Sequence, residues 1–272
     1  MELLSPQIII LTLMLGSCAG FLAGLLGIGG GVILVPLFLW LFPLAGFPPD
    51  LVVHSAFGTS LAIVFPTAIS STLAHRKRGN VDWYMVLYLT LGGIAGSILG
   101  SSLAAVLPGA KLKIAFGVMQ ILVSLKLIFY KNQEALTDYQ FSGSRKPLLL
   151  IGLIGGFFSA FFGIGGGVVA VPLLFMLLRV PIRLAVGNSS ALIVVSSLAA
   201  VVCYIWYGLE QPVHAPFSLG YVNILVAVLV APLTIIFARI GVTLASRISQ
   251  AKLVKVFALL LMVIGLKIVF KI

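Results

Sequence analysis

Gly27-Ile28-Gly29-Gly30-Gly31 recurs 136 residues later as Gly163-Ile164-Gly165-Gly166-Gly167, each copy inside an apolar run and followed by a proline, Pro36 or Pro172. Four glycines in five residues cannot hold a stable helix, because glycine loses the most backbone freedom and has no side chain to pack. The surroundings make the interruption costly. Of the 272 residues 61% are hydrophobic and 8% charged. That is more apolar surface than a soluble domain can hide, so the chain reads as an integral membrane protein. In hydrocarbon a broken helix persists only where protein buries it or where it lines a cavity. A break made twice therefore reads as a functional centre.

The apolar runs cover 7–26, 32–42, 51–75, 83–107 and 111–130, then 147–162, 168–179, 181–206, 216–246 and 251–271, with Pro232 expected to kink the long run. Between the two series lies a polar linker, 131–146. The halves match beyond the glycines. Ala56-Phe57-Gly58-Thr59-Ser60 corresponds to Ala185-Val186-Gly187-Asn188-Ser189, Lys111-Leu112-Lys113 to Lys252-Leu253-Val254, and Lys126 to Lys267. The chain thus reads as a duplicated unit, 1–131 and 147–272 about the linker 132–146, and duplication of this kind is a signature of transporter folds.

Loop charges choose the topology. If 7–42 and 147–179 each cross once, the loop cations divide seven against seven. If each glycine break is the tip of a hairpin, one side holds Arg76, Lys77, Arg78, Lys131, Arg145, Lys146, Arg179, Arg183, Arg247, Lys252 and Lys255. The other side then keeps only Lys111, Lys113 and Lys271. The hairpin arrangement alone gives a positive-inside bias. Length agrees, since residues 7–42 as one helix would run about 54 Å against about 30 Å of hydrocarbon. The expected fold is an all-α polytopic membrane protein, an inverted-topology repeat of two halves. Each half has a broken helical hairpin (7–42 or 147–179) and three transmembrane helices (51–75, 83–107 and 111–130, or 181–206, 216–246 and 251–271). Both termini are expected outside and the linker in the cytoplasm, with the first apolar segment kept because Met1-Glu2 lacks a basic signal start.

Inverted repeats bring their broken segments together near the midplane. The half-helices that start near Gly31 and Gly167 present unpaired backbone N–H groups and a positive dipole end. Glycine lets an anion approach those groups closely. Gly27, Gly29, Gly30 and Gly31 with Gly163, Gly165, Gly166 and Gly167 are accordingly the candidate substrate-binding backbone. Thr59 and Ser60 in one half, and Asn188, Ser189 and Ser190 in the other, are the matching polar groups nearest the breaks. They either donate to a bound oxyanion or bond within and between helices. Gly92-Gly93 and Gly96 read instead as a tight helix crossing.

The acidic residues Glu2, Asp50, Asp82, Glu134, Asp138 and Glu210 all fall in loops or at segment ends, as do His54, His75 and His214. That leaves no carboxylate relay for protons inside the membrane, no metal-ligand spacing and no nucleophile with a base, so neither an enzyme nor a cofactor is expected. A membrane enzyme or lipid-binding scaffold using the same cavity would need such residues. The net charge of +11 serves orientation rather than nucleic acid. Arg239, deep in its run, either adds positive field to an anion path or snorkels to the surface. Small-residue stripes serve intramolecular packing or a homodimer face.

These motifs resemble the sulfite exporter TauE/SafE family over essentially the whole chain. The resemblance rests on the doubled glycine motif, Pro36 and Pro172, Gly58-Thr59-Ser60 with Gly187-Asn188-Ser189, and His75 to Asp82 ending in Gly79-Asn80-Val81-Asp82. In the second half Gly208 is read at the place of Gly79, with Glu210-Gln211 for Val81-Asp82. The resemblance implies a bacterial or archaeal plasma-membrane transporter that exports sulfite, sulfoacetate or a related organosulfur anion. The same fold leaves open an anion importer or a carrier of another small solute.

Overall fold

The computed structural model describes residues 4–26, 30–128, 145–245 and 250–270. Gly27, Ile28, Gly29, Lys131, Glu134, Asp138, Arg247 and Lys271 therefore lie outside the described residues, as does the linker up to residue 144. Helices dominate: α1 (Pro6–Leu26), α2 (Gly31–Leu44), α3 (Val52–Lys77), α4 (Trp83–Val106), α5 (Gly109–Ile128), α6 (Arg145–Phe162), α7 (Gly167–Leu178), α8 (Ile182–Leu209), α9 (Ile224–Ala245) and α10 (Gln250–Phe270). Among the described residues α3, α4, α6, α8 and α9 are long and apolar enough to cross a membrane. The chain is an all-α polytopic membrane protein. The half-helices α2 and α7 have 14 and 12 residues; at about 1.5 Å per residue neither spans the hydrocarbon alone.

The apolar run 216–246 is not one helix. Its start is a two-stranded antiparallel hairpin, β1 (Ser218–Leu219) and β2 (Val222–Asn223), before α9 begins at Ile224. Asn223 makes the boundary: its Oδ1 accepts from Val226 N–H at 2.9 Å, a helix N-cap. Asp82 does the same for α4, accepting from Tyr84 and Met85 N–H. The counterpart of Gly79-Asn80-Val81-Asp82 is therefore Gly220-Tyr221-Val222-Asn223, not the stretch from Gly208. Gly79 and Gly220 share a left-handed backbone, φ 70° and 58°, which glycine adopts without strain.

Helix pairs form reciprocally. The first hairpin helix, α1, packs on α9, and the second hairpin helix, α6, packs on α4. Helices α3 and α8 pack on each other, as do α5 and α10. Small residues permit the close approaches. Gly92, Gly96 and Gly100 of α4 lie against the carbonyls of Leu149, Leu153 and Phe157 of α6, while Gly152 and Gly156 return against Leu89 and Gly93. Gly16 and Gly20 of α1 face Val230 and Thr234 of α9. Without a hydrophobic drive in lipid, such backbone contact is what holds helices together. At the start of α6, Arg145 Nε donates to Tyr84 Oη at 3.1 Å and its guanidinium lies over the Tyr88 ring. The most buried of the described spans is α3, with 72% of its most apolar window buried against 22% for α9, so the centre of the molecule is the α3 surface that the second glycine break reaches.

Candidate functional site

The second break can be followed residue by residue. Helix α6 ends at Phe162; Gly163 and Gly165 then take φ of 68° and 73°, turning the chain before Gly166 caps α7. Each glycine is also pressed against a neighbour. A Cβ on Gly163 would lie 2.6 Å from Phe57 Cα, one on Gly165 2.9 Å from Val64 Cγ1, and one on Gly166 2.6 Å from the Gly155 carbonyl oxygen. The turn is thus wedged between α3 and its own hairpin partner α6. Of the first break, Gly30 (φ 78°) caps α2, and Gly31 approaches Ile164 so closely that a side chain would collide with the Ile164 backbone. The start of α2 and the second break are in contact.

Both half-helices begin without a side-chain cap. Val169 and Ala170 donate back to the Gly166 carbonyl, and Ile33 and Leu34 to that of Gly30. The N–H groups of Gly167 and Val168, and of Gly31 and Val32, have no acceptor among the described residues. Such orphan donors carry the positive end of the helix dipole. No Lys, Arg, Asp or Glu is among the buried described residues, so the field at the break comes from backbone dipoles and neutral side chains.

The candidate polar residues divide by what their oxygens do. Thr59 Oγ1 accepts from Asn223 N–H at 2.9 Å, and Asn188 Oδ1 accepts from Asp82 N–H at 2.8 Å. Each of this matched pair thus holds the N-cap residue of a helix in the other half. Gly58 and Gly187, one residue earlier in each, give room for the incoming loops at Tyr221 and Asn80. Asn188 Nδ2 faces Met85 Sδ at 3.4 Å. Ser189 Oγ donates to the Val186 carbonyl, and Ser190 Oγ to the same carbonyl with Ser71 Oγ 3.1 Å away. Arg239 lies on the exposed face of α9. Ser60 differs from all of these: its Oγ is fully buried and has no partner among the described residues. It stands on α3 one turn from both Phe57 and Val64, the residues that Gly163 and Gly165 touch.

Two polar residues near the breaks go unnoticed in the sequence. Ser159, the last polar residue before the second break, has its Cβ 3.3 Å from a Cβ placed on Gly166. Gln120 Nε2 donates to the Val32 carbonyl at 3.1 Å. That carbonyl would ordinarily bond residue 36, but Pro36 has no N–H. A proline four residues after an apolar position, with a lone amide in a later apolar run, is the signal for such a repair. Replacing Gln120 with leucine, the residue at the matching position Leu261, is expected to destabilise the protein by about 1 kcal/mol through loss of this bond. Thermal unfolding in detergent checks it.

Helices long and apolar enough to cross a membrane, with two short apolar half-helices that start at glycines, make this a polytopic membrane protein. The family model of the sulfite exporter TauE/SafE matches residues 12–268, and the chain belongs to that family of membrane transporters. A probable membrane transporter protein of Methanocaldococcus jannaschii is 31% identical over 97% of this chain and 95% of its own. One of Haemophilus influenzae is 30% identical over 97% and 98%. The probable membrane transporter protein YunE of Bacillus subtilis is 26% identical over 96% and 97%. No solved structure matches the chain.

Proposed function

We propose that this protein is a secondary transporter that exports a small sulfur-containing anion, sulfite, sulfoacetate or a related organosulfonate, across the plasma membrane. The carrying observation is the contact of Gly31 with Ile164. It brings the uncapped starts of α2 and α7 to one buried place, where N–H groups without protein acceptors among the described residues suit an anion. The family's description as sulfite exporters supports the sulfur chemistry. Ser60, facing the second break, adds a hydroxyl donor.

In this reading the two halves cross the membrane in opposite senses, with both termini outside, and the reciprocal packing of α1 on α9 and α6 on α4 supports it. Export then needs no coupling ion. An inside-negative potential favours anion exit by about 2.3 kcal/mol per charge for each 100 mV. Purified protein in liposomes is expected to move sulfite at a rate that follows an imposed potassium-diffusion potential and persists when the proton gradient is collapsed. Flux that needs a proton gradient and ignores the potential would count against the uniport mechanism.

A further inference from the structure

Hydroxyls in these helices follow a rule. Thr12, Ser17, Thr67, Thr72, Thr90, Ser101, Ser190 and Ser197 each donate to the carbonyl four residues back, at 2.6–2.9 Å. That bond is the default for a hydroxyl surrounded by apolar groups. Ser97, Ser189, Ser196 and Thr234 donate three residues back instead, and Ser124 to another helix, whereas Ser60 and Ser159 do neither. Both are fully buried, and among the described residues neither Oγ has any partner, not even its own helix carbonyl. An unpaired buried hydroxyl is destabilising, and each serine lies within about one helical turn of a residue that touches the second break. Ser60 faces the turn from α3 and Ser159 lies beside Gly166, at the uncapped start of α7.

The sequence repeat makes the arrangement one-sided. Ser60 corresponds to Ser189, whose hydroxyl is engaged with the Val186 carbonyl. Ser159 corresponds, 136 residues earlier, to Ala23, which has no hydroxyl. Charge narrows the ligand further. Two hydroxyls and a helix start favour negative charge, but with no buried Lys or Arg among the described residues a second charge on the bound head group would go uncompensated.

We propose that Ser159 and Ser60 form a hydroxyl subsite at the second glycine break, which receives the oxygens of singly charged –SO3 head groups, with sulfite entering as hydrogensulfite, and discriminates against doubly charged head groups of the same shape. This rests on the anion-transport reading above and adds to it a specificity residue, Ser159, and a charge class.

The test uses the full chain in liposomes with two probes: methanesulfonate, and methylphosphonate, which has the outline of methanesulfonate but carries two charges at alkaline pH. Wild type is expected to prefer methanesulfonate to methylphosphonate about ten-fold at alkaline pH. Ser159→Ala and Ser60→Ala should each raise the KM for methanesulfonate about ten-fold, the loss of one charge-assisted hydrogen bond, with maximal flux nearly unchanged. Ser101→Ala, which removes a hydroxyl bonded to its own helix, should leave KM alone. The melting temperature of Ser159→Ala should equal or exceed that of wild type, because no described residue loses a partner; a structural hydroxyl would give a fall. Unchanged KM in both serine variants overturns the subsite and leaves the transporter standing. Equal transport of the two isosteric probes overturns the charge discrimination. No flux of any probe overturns the anion reading itself, and the subsite with it.

Discussion

Gly31→Leu is expected to abolish transport, to below about 1% of wild-type flux, while the protein still reaches the membrane. A side chain at this position meets the backbone of Ile164, which cannot swing aside as a flexible side chain can. Overpacking of a tight site costs about 1–3 kcal/mol when neighbours can shift, and here relief requires moving one glycine break away from the other. Gly166→Leu should behave alike, since its Cβ would lie 2.6 Å from the Gly155 carbonyl oxygen. Gly79→Ala is the control. Gly79 has φ 70° but nothing within 4 Å of an added Cβ, so only backbone strain of about 1 kcal/mol applies. Flux per reconstituted molecule, with membrane fractionation alongside, separates loss of contact from loss of protein. Wild-type flux in both leucine variants would remove the breaks from the transport path.

Asn188→Ala and Thr59→Val form the second large effect, and it falls on stability rather than on affinity. Each removes the acceptor of an N–H, the half-buried one of Asp82 or the buried one of Asn223, and an orphaned buried donor costs about 1–3 kcal/mol. The loss reaches further than one bond, because Asp82 and Asn223 are themselves the N-caps of α4 and α9. Melting temperatures in detergent should drop clearly for both variants, while KM for a transported sulfonate stays within about two-fold of wild type. A large KM change without a fall in melting temperature would return these residues to direct contact with the anion.

The helical spans are legible in the sequence because lipid demands long apolar runs, and their ends match those of α3, α4 and α6 to within a few residues. The breaks are legible because no other composition so plainly refuses a helix. What composition cannot show is the business of individual oxygens. Thr59 and Ser60 are neighbours in sequence with equal claims on a ligand, yet they stand about 100° apart around a helix. One meets the α9 cap, and the other lies one turn from Phe57 and Val64, which the glycine turn touches. The run 216–246 hides its β hairpin because Phe217, Leu219, Tyr221 and Val222 are as apolar as the helix after them. The usable sign is Asn223, a capping residue in front of an apolar run. Gln120 makes sense only once Val32, and with it the missing N–H of Pro36, is seen beside it.

The exchanged caps have a consequence for biosynthesis. Helix α4 leaves the ribosome well before α8, which carries the Asn188 that holds its N-cap residue, and before α6, against which its glycines close. Until then α4 has a glycine-lined face with no helix against it. Conversely α9 arrives late and finds Thr59 and α1 already inserted. Neither half of the chain is complete on its own. The first is finished only by the second, and carrying both on one chain fixes the one-to-one supply that this interlocking requires.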